Sequence, residues 1–92
     1  MKAIQIRKEE LALSKFQDSV QIHFRFEPPL AGHEYGLACS TTFPALGKKD
    51  TVILPSNKNG DILSWEEIAG DAQTADIGFL VTSLGYRIVE GS

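Results

Sequence analysis

Between Val20 and Glu27 the chain reads Val-Gln-Ile-His-Phe-Arg-Phe-Glu, apolar and polar side chains alternating without interruption. Side chains of an extended strand point alternately to its two faces, so this pattern calls for a strand with one face buried and the other wet. Any fold open to the chain must therefore supply a sheet and something apolar to cover one side of it. Pro28-Pro29 is expected to end the strand, because proline donates no ladder hydrogen bond.

Other segments extend that sheet. Tyr35 to Thr42 reads as a second strand that returns antiparallel after a longish loop. Tyr35, Leu37 and Cys39 are assigned to its core side, and Gly36, Ala38 and Ser40 to the other. Thr51-Val52-Ile53-Leu54, closed by Pro55, and Ala3 to Arg7 are further strands. Glu9 to Ser14 stays open, since Leu11 and Leu13 suit either a strand or a helical turn.

After Asn59-Gly60 the period changes. Ser64-Trp65-Glu66-Glu67 has the form of a capping box, and Trp65, Ile68, Ala69 and Ala72 follow at helical spacing. Thr74 is expected to cap a second helix, with Asp76 near its positive end. Ile77, Leu80, Val81 and Leu84 form its apolar stripe, and Gly85 ends it. Tyr86 to Glu90 alternates as a last strand. The expected fold class is α+β. It is a mainly antiparallel sheet of about five strands in the order β-β-β-β-α-α-β, with two short helices on one face. The 92 residues make one domain spanning positions 1–92.

Composition narrows the function classes. Hydrophobic residues at 42% and charged residues at 23% belong to a chain that folds, not to a disordered one. A net charge of −3 offers no field for nucleic acid, so no nucleic-acid partner is expected. Cys39 is the single cysteine, which suits a reducing compartment. The first residues are charged and carry no apolar stretch of a signal peptide. The run Phe79-Leu80-Val81 is far short of the ~20 apolar residues a spanning helix needs. A cytoplasmic location without membrane attachment is expected.

Several residue groups carry side chains of the kind that chemistry needs. Asn57, Asn59, Gly60, Ile62 and Glu66 imitate part of a calcium loop. Pro55 stands at the first ligand position, however, and an Asn-Gly turn leading into a capped helix explains the same residues. Ala45-Leu46-Gly47-Lys48-Lys49 lacks the first glycine and the final hydroxyl residue of a phosphate loop. Cys39 and His23 would suggest a thiol nucleophile, but the alternation puts them on opposite faces, and nothing aims His33 at the thiol. His33-Glu34 with His23 makes a poor metal set, because adjacent residues rarely converge on one ion. Lys48, Lys49 and Lys58 read as a small basic patch or as solvated loop ends. Asp61, Glu66, Glu67, Asp71 and Asp76 read as carboxylates at two helix starts, or as a docking face for a basic partner. No catalytic residue, metal or cofactor is assigned.

The residue that fits least is Phe79, which a helical wheel places opposite the apolar stripe beside Thr82 and Ser83. Packing against Trp65 and contact with another chain both account for it. The leading expectation is a non-catalytic binding or interaction module, self-associating as a homo-oligomer or joining a protein partner through a sheet edge or the Phe79 side. The alternative is a small-molecule-binding protein with Trp65, Tyr35 and Tyr86 as aromatic walls between sheet and helices. A small thiol or histidine hydrolase built from His23, His33 or Cys39 comes last.

Overall fold

A computed structural model describes residues 1–14, 17–43, 46–71 and 73–91. In chain order the elements are β1 (Lys2–Ser14), β2 (Gln17–Leu30), β3 (His33–Phe43), β4 (Lys48–Ser56), β5 (Ala69–Asp71), α1 (Ile77–Ser83) and β6 (Arg87–Glu90). They form one six-stranded sheet in the order β5-β4-β3-β2-β1-β6. Neighbours from β5 to β1 pair antiparallel, whereas β6 lies parallel to β1. The sheet is mixed and carries one helix, which corrects the expectation of five mainly antiparallel strands under two helices. Glu9 to Ser14 belongs to β1 and pairs with β2 as far as Ser14 opposite Gln17.

The parallel strand follows from chain routing. β5 sits at one edge of the sheet and β6 at the other, so the segment between them must cross a whole face. α1 rides on that crossing. Asp76 caps it by accepting from the Phe79 amide at 3.1 Å. Thr74, the expected cap, instead accepts from the Asp76 amide at 3.0 Å, two residues before the helix is capped. Ile77, Leu80 and Val81 are buried against the sheet, and Gly85 leaves the helix at φ +93.

The helix expected from Ser64 does not form. The Ser64 hydroxyl accepts from the amide of Glu66, at 3.1 Å, not from that of Glu67, which closes a short turn instead of a capping box. Gly70 interrupts the segment, and a helix this short nucleates poorly. The outer edge of β4 offers a ladder instead. Ile68 N–H donates to the Ile53 carbonyl at 2.7 Å, and β5 continues the pairing. Ile68 and Ala69 still pack against the core, but Trp65 does not, and Ala72 lies outside the described residues.

Pro28 and Pro29 do not end β2. The β1 ladder stops at Glu27, and pairing with β3 skips from Arg25 to Leu30, so neither proline stands where an N–H is required. The expected long loop is an Ala31-Gly32 turn, both residues at positive φ.

The faces of β3 are the reverse of those expected. Val20, Ile22 and Phe24 of β2 pair with Ser40, Ala38 and Gly36, so the small residues face the helix. Ring volume is the reason. A Cβ on Gly36 would stand 2.7 Å from Phe26 Cε2, so the Phe24 and Phe26 rings fill the layer above β3 and admit only small neighbours. Tyr35, Leu37 and Cys39 therefore share the opposite face with Gln21, His23 and Arg25.

That second face is not simply wet. His23, 2% exposed, lies in one cross-strand row with the buried Leu37 and Leu54. The turn after β4 covers the histidine: its Nε2 bonds the Asn57 carbonyl at 3.1 Å, and a Cβ on Gly60 would lie 3.5 Å from its Nδ1. Asn57 Oδ1 builds the turn by accepting from the amides of Asn59 and Asp61, at 2.9 and 3.0 Å.

Candidate functional site

The residues singled out from the sequence are scattered over the fold. Tyr86 is buried, with its hydroxyl donating to the Pro28 carbonyl at 2.7 Å and its ring edge-on to Phe26. Tyr35 is half-buried on the other face, 5.7 Å from the His23 ring. Trp65 is 81% exposed in the segment between β4 and β5, and Phe79 is 58% exposed on α1. Among the described residues no ring contact joins Phe79 to Trp65. Trp65, Tyr35 and Tyr86 do not wall a common hollow.

His23 and Cys39 stand on one face after all, offset by a single step of the ladder: Gln21 pairs with Cys39 and His23 with Leu37. Their surroundings still disfavour a thiolate–imidazolium pair. Burial raises the Cys39 pKa, which keeps the thiol protonated. Burial also lowers the His23 pKa, the nearby Arg7 charge adding to that, while the bond to Asn57 opposes it. His33 lies at the start of β3, beyond the Ala31-Gly32 turn. Asn57, one of the residues that imitate a calcium loop, has its side-chain oxygen occupied by the amides of its own turn. Lys48 and Lys49 begin β4 while Lys58 follows its far end, so the three form no patch.

The feature sequence reasoning missed is an edge. β6 covers only Lys2–Gln5 of β1, its last bond running from Gly91 N–H to the Gln5 carbonyl at 2.8 Å. A register shift between Gln5 and Arg7 places Ile6 in a bulge at that point. Beyond it, among the described residues, no strand pairs with the outer side of β1 through Ser14. Every other ladder bond of an extended strand points outward, so this stretch presents a row of backbone donors and acceptors. Arg7 and Glu9 flank it on the His23 face, with Arg7 Nε 3.5 Å from Glu9 Oε1 and both side chains about half exposed. One available signal was the mismatch between a long first strand, had Glu9–Ser14 been read as extended, and the short Tyr86–Glu90 run.

Among the described residues no group of three or more His, Cys, Asp or Glu could hold a metal ion, and no helix is long and apolar enough to cross a membrane. Comparison with protein-family models, with curated proteins and with solved structures gives no match to this chain.

Proposed function

We propose that this chain is a non-catalytic interaction module that joins a second copy of itself through the outer edge of β1. The observation that supports this reading is the short reach of β6: among the described residues no strand pairs with the outer side of β1 from Arg7 to Ser14. An edge of that length is ordinarily shortened, bulged away or covered. Here one register shift, at Ile6, precedes the open stretch and a second, between Ala12 and Ser14, comes at its far end, so Arg7 to Ala12 runs in continuous register.

A second copy of the same stretch suits this edge, because two such edges related by a two-fold axis pair antiparallel and satisfy each other's outward backbone groups. β6 occupies Lys2–Gln5, so the pairing is confined to the stretch from Arg7 to Ser14 of each copy. Each new backbone hydrogen bond contributes about 0.5–1.5 kcal/mol. A reducing compartment such as the cytoplasm suits such a module, since Cys39 is a free thiol.

Sedimentation equilibrium over a concentration series tests the reading. A mass that rises from one copy toward two supports it, and a strict monomer at high micromolar concentration rejects it.

A further inference from the structure

The crossing segment that carries α1 covers only part of the sheet. Beyond the start of the helix lies a hollow of about 540 Å³, within the range of small-molecule sites. Its floor is Val20 and Ile22 of β2 with Ser40 of β3, and its roof is the stretch Thr74 to Gly78. The roof is pinned: the fully buried Thr51 donates its hydroxyl to the Thr74 carbonyl at 2.6 Å. Lys8 stands on the β1 bank and Lys49 on the β4 bank. Those strands lie three spacings apart, about 14 Å at ~4.8 Å each, so the two cations flank an apolar floor from opposite sides.

We infer that this hollow binds a small amphipathic carboxylate, its hydrocarbon part on Val20, Ile22 and Ile77 and its carboxylate at the Lys49 ammonium. The surroundings select for that chemistry. Floor and roof present Val20, Ile22, Ala75 and Ile77 to an apolar body. The polar groups of the roof are already engaged, Thr74 Oγ1 by the Asp76 amide and Asp76 Oδ1 by the Phe79 amide. The Asp76 carboxylate makes the roof unfavourable for a second negative group, which argues for a monoanion. The hollow borders the β1 edge through Lys8, while its anion contact, Lys49, lies on β4, away from the edge of the proposed self-association.

Amide NMR shifts during titration with octanoate test the inference, with octanol and octylammonium titrated in parallel. The expected result is saturable shifts at Val20, Ile22, Ser40 and Thr74 to Gly78 with octanoate. Octanol should bind more weakly and octylammonium more weakly still. Lys49→Gln, at an exposed position, should weaken octanoate about two- to fivefold, the worth of an exposed charge pair, while Lys2→Gln leaves it unchanged. Absence of saturable shifts below 10 mM octanoate, on the order of the weakest affinities counted as binding, overturns the site. Equal response to all three probes, or no effect of Lys49→Gln, overturns its selectivity for an anion.

Discussion

The two ends of the sheet are built differently. The end holding β6, the N-terminal half of β1 and the C-terminal half of β2 is the better covered. β6 covers its edge, α1 and the Phe24–Phe26–Tyr86 rings fill one face, and the Asn57–Asp61 turn lies over His23 on the other. At the opposite end the hairpin of β1 and β2 runs on, with its outer edge unpaired and a hollow where the helix has not yet begun. In the covered half a side chain is fixed by its neighbours' volume. In the open half it is fixed by little except the ladder, and among the described residues no strand takes up the outward backbone groups of β1.

Substitutions in the two halves should separate accordingly. Phe26→Ala should cost the most, about 3–5 kcal/mol in denaturant unfolding, because it empties a site the Gly36 backbone cannot collapse to fill. A loss below 1 kcal/mol would mean the ring is not central. Gly36→Val should cost about 1–3 kcal/mol or more through overpacking on Phe26. Combining Gly36→Val with Phe26→Leu should recover part of that loss.

Acid should act on the covered half as well. His23 has its pKa lowered by burial, so the unfolded chain takes up the proton first as pH falls. The contribution of neutral His23 is complete above the ordinary imidazole value of about 6.5. It is lost as pH falls from there through the lowered folded value. Unfolding free energy measured against pH should show that decline, and His23→Gln should remove it. Ser56→Ala should have a small effect of the opposite sign, a gain of about 1 kcal/mol, since the Ser56 hydroxyl is buried with no hydrogen-bond partner among the described residues.

How legible this was in the sequence differs by region. The β2 alternation placed Val20, Ile22, Phe24 and Phe26 on the core side correctly, because large apolar residues at strict period two have few other uses. It misjudged His23, whose burial depends on a turn more than thirty positions away. β3 was read upside down, since Leu37 and Tyr35 look more core-like than Gly36 and Ala38 until the Phe26 ring is known to lie over Gly36. The stripe of α1 was plain. The stripe from Trp65 to Ala72 was misleading, because local spacing says nothing of an unpaired β4 edge competing for the same backbone. The free edge of β1 is a property of strand order and of the length of a distant partner, and neither is written locally.

The most direct measurement of the central claim is amide hydrogen exchange along β1 across a concentration series that takes the chain from one copy to two. The account predicts that the outward-pointing amides between Arg7 and Ser14 exchange quickly at low concentration and slow as the mass doubles, while the amides paired with β2 change little. If the mass doubles and those outward amides stay unprotected, the β1 edge is not the joining surface.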